Sequence, residues 1–261
     1  MSDWEPLVGL VSAVVAMITW VPWYGDILLV NRLIAPRSYR LVLGLAPFAC
    51  LLFLWFCLER SAAKAVRESG FYILIYMALG AAALGVTAQL LAFLGVSARD
   101  DVLERRNGAA LIAVAGGLLG ATLCFTGGNI GEGPGVEVVL ISAGTALCAW
   151  FVLWYVVEMF SGRVVAERIT VDRDTGSGVR LAALLVADGV ILGAAVAGDW
   201  MPDRFLHDFA ISAWPALALA VLAALAERFS SSRSSIIRSV LIALGYLLVA
   251  AAWALHRGIR A

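Results

Sequence analysis

The chain has 261 residues, 62% of them hydrophobic and 15% charged, and its mean hydropathy is +0.92. Soluble domains hold about 45–50% apolar and about 25% charged residues, so this composition excludes a disordered chain, a secreted disulfide scaffold and a soluble enzyme with one apolar anchor. Nineteen basic residues balance nineteen acidic ones, which argues against the basic face that a nucleic-acid partner requires. An integral membrane protein is left, with the lipid bilayer as its main solvent.

A spanning helix needs about 20 mostly apolar residues. Eight stretches qualify: 7–30, 41–58, 70–95, 108–128, 136–160, 178–198, 209–226 and 236–255. The expected fold is an all-α polytopic membrane bundle of eight transmembrane helices. The long Ala/Leu/Val runs lack the alternation that a β-barrel strand shows. The chain begins without a basic n-region or a clear small-residue cleavage site, so the first stretch reads as an uncleaved helix and not a signal peptide. Pro22 interrupts that stretch and Asp26 sits near its end. Two readings stay open there: one kinked span, or a shorter span followed by an interfacial stretch. The spans group into an N-terminal pair (1–69), a four-helix core (70–200) and a C-terminal pair (201–261).

Orientation is read from Lys and Arg in short loops. With eight spans the termini share one side. The first, third, fifth and seventh loops carry twelve basic residues, among them Arg32, Arg99, Arg163 and Arg233; the other side carries six, Arg60, Lys64, Arg67, Arg204, Arg257 and Arg260. That asymmetry predicts both termini outside, in the periplasm of a bacterial inner membrane.

Sliding the chain on itself by 73 positions aligns 99–122 with 172–195, with eight identities in 24. The two copies lie two spans apart, which makes a parallel two-helix repeat. Each copy leads from a charged approach into a small-residue helix with a GxxxG motif: Gly116 and Gly120 in one, Gly189 and Gly193 in the other. Four-residue spacing puts both glycines on one face, where a second helix can approach closely.

The run Asp101-x-x-Glu104-Arg105-Arg106-Asn107-x-Ala109-x-x-Ile112-Ala113-x-x-Gly116-x-x-x-Gly120 resembles the first signature of the YjfL family. Asp172-Arg173-Asp174-x-Gly176-x-Gly178 resembles the second, with Asp174 where the family more often has Asn. The likeness covers about residues 70–200. It implies a bacterial inner-membrane protein whose family has no established reaction. Genes of that family often neighbour those for a glutathionylspermidine-synthetase-like ATP-grasp protein and a phage-shock-type membrane-associated protein. The resemblance thus implies an envelope-stress setting with a soluble cytoplasmic partner, and no catalytic residues carry over.

Asp188 is the sharpest polar feature, near the middle of the sixth span. An ionisable group at that depth is costly and marks a functional site by default. Gln89, Thr122 and Thr126 are the candidate polar lining around it, with Arg180 two turns below on the same helix. The alternative is a protonated carboxyl bonded to a neighbouring backbone. Glu104, Arg105, Asn107, Asp172, Arg173 and Asp174 sit at the mouths of the two repeat helices. Asn107 suits an N-cap; the set as a whole reads either as caps with loop ion pairs or as a gate or docking surface. The glycine-rich loop 126–135 reads as a flexible turn, or as a pore lining that frees carbonyls for ions. Glu158 and the Asp26/Asn31 pair read as interfacial.

Asp199, Asp203 and His207 would share a helix face, yet they match no full metal motif. Trp200-Met201-Pro202 reads as an interfacial helix start. Cys50, Cys57, Cys124 and Cys148 lack C-x-x-C spacing and read as buried, unpaired thiols. No metal and no cofactor are expected. Neither H-E-x-x-H nor G-x-S-x-G with a partner His is present, so no enzyme is expected. Two functions stay open: a small ion, proton or solute transporter or channel built on Asp188, and a non-catalytic scaffold that recruits soluble partners. A homo-oligomer is compatible with either.

Overall fold

The computed structural model describes residues 4–29, 35–133, 135–229 and 235–258. The chain is 85% helical and has no strand among the described residues. The elements are α1 (Glu5–Leu29), α2 (Arg37–Ser61), a short α3 (Lys64–Arg67), α4 (Gly70–Phe93), a π-helical segment (Ala98–Glu104), α5 (Gly108–Gly127), α6 (Val136–Ser161), a short α7 (Val164–Thr170), α8 (Thr175–Val196), α9 (Phe205–Phe229) and α10 (Ile236–Arg257). Eight of these helices are long and apolar enough to cross a membrane. The protein is an all-α polytopic helical bundle. Asn31, Arg32, Pro134, Arg233 and Arg260, together with the first three residues, lie outside the described residues.

The first stretch is one 25-residue helix that runs through Pro22. Proline inside a spanning helix is tolerated because neighbouring groups re-satisfy the freed backbone. α8 starts three residues before the apolar run does. Its cap explains this: Asp174 Oδ1 accepts the Gly176 N–H (3.1 Å) and Oδ2 accepts the Ser177 N–H (3.0 Å). Polar capping chemistry extends the helix beyond its greasy segment.

The bundle is not uniform across its width. Of the most apolar eighteen residues in each span, 78% are buried in α8 and 67% in α5, against 11% in α1 and 17% in α10. α5 and α8 therefore form the centre, packed more closely on each other than any other pair. α1 packs on α4, α2 on α5, α9 on both α6 and α8, and α10 on α8.

The two central helix pairs repeat their backbone landmarks at a spacing of 67 residues. Left-handed Gly95 (φ 97°) recurs as Gly162 (φ 74°), Arg106 (φ 55°) as Arg173 (φ 54°), and Gly131 (φ 114°) as Gly198 (φ 127°). The loop bonds recur as well. Gly95 N–H donates to Ala92 O and Gly162 N–H to Met159 O; Asn107 N–H donates to Asp101 O and Asp174 N–H to Arg168 O. Asn107 caps α5 through the Ala109 and Ala110 N–H groups, as Asp174 caps α8. The 73-residue alignment would instead set Asn107 against Arg180, in the second turn of α8. Matching the small-residue runs displaces the true landmarks by six residues, because Ala, Gly and Leu recur at many offsets.

Cross-contacts order the ends of the helices into two faces. Glu5 at the start of α1 accepts the Tyr72 hydroxyl at the start of α4 (3.0 Å). The end of α10 lines a cavity with the ends of α2 and α8 and the loop that follows α5. Both described ends therefore share one face, called here the terminal face. The capped starts of α5 and α8, the end of α9 and the start of α10 form the opposite face.

Candidate functional site

The site is built on the seam between α5 and α8. These helices run parallel, and their glycines let the backbones touch. A Cβ on Gly116 would lie 2.5 Å from Ala182 Cα, and one on Gly120 2.3 Å from the Leu185 carbonyl oxygen. A Cβ on Gly189 would lie 2.4 Å from Gly120 O, and one on Gly193 2.5 Å from Leu123 O. Beside the seam, the Trp150 indole N–H donates to Leu185 O (2.8 Å) and ties α6 to α8.

Asp188 projects from α8 next to this seam and is 2% exposed. Its Oδ1 is sealed and has no hydrogen-bond partner among the described residues. Most buried polar groups in proteins are bonded, so an orphan carboxyl oxygen requires an explanation. Cys124 of α5 and Tyr246 of α10 lie within electrostatic reach of it.

Gln89, Thr122 and Thr126 do not gather around Asp188. Gln89 Nε2 donates to Thr19 O of α1 (3.2 Å). Thr122 and Thr126 donate to carbonyls one turn back on their own helix, Leu118 O and Thr122 O (each 2.7 Å). At 100° per residue, Thr122 stands about 200° around α5 from Gly120, away from the seam. Hydroxyls in apolar helices fold back onto the i−4 carbonyl, and Thr122 also meets the Cys50 thiol of α2.

Arg180 belongs to a buried charge network. Its guanidinium donates to both carboxylate oxygens of Glu227 on α9: Nε to Oε1, and Nη2 to Oε2 at 2.9 Å. It also donates to Ser239 Oγ on α10 and to Ser177 Oγ (2.9 Å). Arg168 of α7 reaches the same carboxylate (2.8 Å) and the Glu227 carbonyl oxygen (3.0 Å). Asp174, the α8 cap, stands 4.0 Å from Arg180. The side chains of Arg168, Arg180 and Glu227 are 9%, 4% and 6% exposed, so all three charges are withdrawn from water. A void of about 10 Å³ beside them is lined by Arg180, Leu184, Glu227 and Tyr246. The Tyr246 phenol lines this void and lies within electrostatic reach of Glu227, Arg180 and Asp188.

Glu227, Arg168, Ser177 and Ser239 are missed by the sequence reading. Glu227 sits at the head of a serine-rich loop and reads as surface, yet it lies in the last turn of α9. One signal was available: Arg180 stands inside a span, and a buried arginine needs an acid. Glu158 also departs from an interfacial reading. It is 6% exposed, beside the Trp154 indole, with Oε1 sealed and without a hydrogen bond among the described residues, and Oε2 accepting the Ala166 N–H (3.4 Å).

At the mouths, Asn107 is buried and adds a second bond, Nδ2 to Ile169 O (2.6 Å), which ties the α5 cap to α7. Glu104 pairs with Arg99 (3.3 Å) and Arg105 with Asp101 (3.1 Å). Asp172 and Arg173 are exposed. Asp26 pairs with Arg99 (3.5 Å).

On the terminal face the glycine loop is a structured turn. Gly198 N–H donates to Ile130 O (2.9 Å), Trp200 N–H to Glu132 O (3.0 Å) and Glu132 N–H to Asp199 Oδ1 (3.0 Å). Asp199 and Asp203 are not helical, since α9 starts only at Phe205; the three-residue face with His207 does not form. No cluster with metal-holding geometry occurs among the described residues. All four cysteines are free; Cys50 and Cys124 are buried, Cys57 is half-buried and Cys148 is exposed on the outside of α6. Compared with protein-family models, curated proteins and solved structures, the chain matches none.

Proposed function

We propose that this chain is a proton- or cation-coupled transporter or channel of a bacterial inner membrane, in which Asp188 takes up and releases the ion. The observation that carries the reading is a carboxyl group at mid-span, 2% exposed, with a sealed oxygen that has no hydrogen-bond partner among the described residues. A carboxyl serving only as structural glue has a bonded partner. A group that exchanges a proton needs to lie near other titratable groups instead. The line Asp174, Ser177, Arg180, Glu227, Tyr246 supplies polar atoms from the opposite face toward Asp188. With both termini periplasmic, this line lies on the cytoplasmic side of Asp188. The common landmarks of the two central helix pairs favour a duplicated unit, and the motifs favour a YjfL-like family.

Proteoliposomes with an internal pH indicator test the reading. Wild-type protein is expected to dissipate an imposed proton or cation gradient, and Asp188→Asn to slow that flux at least tenfold. Equal flux from the variant would overturn the role of Asp188.

A second reading, a scaffold, draws on the charges at the mouths: Glu104, Arg105, Asp172 and Arg173 are all exposed, at the starts of α5 and α8, where a soluble partner could dock. Under that reading the reconstituted wild type moves no ion, and the 98–107 segment captures a soluble partner.

A further inference from the structure

Among the described residues the terminal face is the poorer in basic side chains, with Arg60, Lys64, Arg67, Arg204 and Arg257. Three of these, Arg60, Arg67 and Arg257, line a single cavity of about 520 Å³, together with Glu132, Asp199 and Gly198. The three arginines come from the end of α2, the end of α3 and the end of α10, far apart in sequence. Ligand cavities run from about 300 to 1,000 Å³, so the volume suits a small polar molecule or a headgroup.

The state of the guanidiniums decides the chemistry. Arg67 and Arg257 make no ion pair or hydrogen bond with any described residue, and Arg60 stacks over the Phe56 ring at 4.6 Å, which leaves its donors open. The carboxylates in the lining are already engaged. Glu132 Oε1 accepts the Lys64 N–H (3.1 Å) and Asp199 Oδ1 accepts the Glu132 N–H (3.0 Å), so both brace the loops. The cavity therefore has three arginine forks without a carboxylate pair. A guanidinium fork matches the oxygens of a phosphoryl group in a bidentate way, and cations at the headgroup level attract anionic lipid.

We propose that this cavity is a binding site for a phosphoryl anion, with Arg60, Arg67 and Arg257 as its donors. The site is independent of the Asp188 reading. The phosphoryl group belongs either to a soluble phosphate or to an anionic lipid headgroup.

The test uses the purified full-length protein in nanodiscs of zwitterionic lipid. One arm titrates inorganic phosphate calorimetrically; the other titrates phosphatidylglycerol and counts bound lipid by native mass spectrometry. In at least one arm, the R67Q/R257Q double variant is expected to bind at least tenfold more weakly than wild type. Arg204→Gln, on the same face but outside the cavity lining, is expected to bind as wild type does. The proposal fails if neither probe binds wild type more tightly than the double variant, or if Arg204→Gln weakens binding equally. A readout on wild type guards against a misfolded variant: the bound probe is expected to slow phenylglyoxal modification of Arg67 and Arg257, and unchanged modification rates would overturn the proposal.

Discussion

In the approach to α5, Asp101 accepts the Ser97 N–H (2.8 Å) and meets Arg105, which is 57% exposed. Sixty-seven residues on, in the approach to α8, the matching position is Arg168, buried against Glu227. The backbone plan is shared: a left-handed glycine, a short helical segment, a left-handed arginine and a side-chain cap. The chemistry is not. Ala121 of α5 corresponds to Asp188 of α8, and Leu91 of α4 to Glu158 of α6. The first pair keeps its arginines at the surface and buries one acid, Asp101, in the approach to α5; the second buries Glu158, Arg168 and Asp188. One backbone plan thus supports two electrostatic designs, because caps and left-handed turns set the path while the inward-facing positions are free to differ.

Three substitutions and one control test this contrast. The largest effect is expected at Glu227. Glu227→Ala leaves Arg168 and Arg180 buried without their acid, and breaking a buried pair costs about 3–5 kcal/mol. Denaturant titration in detergent is expected to show that loss; a cost near zero would mean that water reaches the network. The seam comes next. Gly120→Val drives a side chain into the Leu185 carbonyl, and overpacking costs about 1–3 kcal/mol. Gly144→Val, where the space beside the glycine is open, is the control expected to cost far less. The smallest effect belongs to the first pair. Arg105→Gln removes a 57% exposed partner from the buried Asp101, which keeps the Ser97 N–H, so its cost should stay at about 1 kcal/mol, well under that of Glu227→Ala. If Arg105→Gln cost as much as Glu227→Ala, the contrast between the pairs would collapse.

Much of the fold was legible because lipid imposes a simple rule on length and polarity. The eight stretches become eight helices, and only their ends move, as Asp174 shows. The glycines were legible for the same local reason: GxxxG puts two small residues on one face whatever lies opposite. Asp188 stood out because a carboxyl at the middle of an apolar span is conspicuous, with Arg180 two turns away as the only other charge in it. Its surroundings were not legible. Thr122 and Thr126 are near Asp188 in span depth, but helix phase turns them away from the seam. Glu227 looked like a loop acid because hydropathy cannot tell the last buried turn of a helix from the first exposed residue after it.

Sequence alone settled the solvent, the number of spans and the close-packing faces, since each follows from residue type and spacing along one helix. Tertiary structure alone decided which helices are neighbours. That choice brought Arg168, Arg180, Glu227 and Ser239 together from four elements, left an Asp188 oxygen without a partner, and gathered three arginines at one cavity. The physical reason is range. Helix formation in lipid is satisfied within each segment, whereas a buried charge is stabilised only by a partner brought through space, and no local spacing encodes which partner that is.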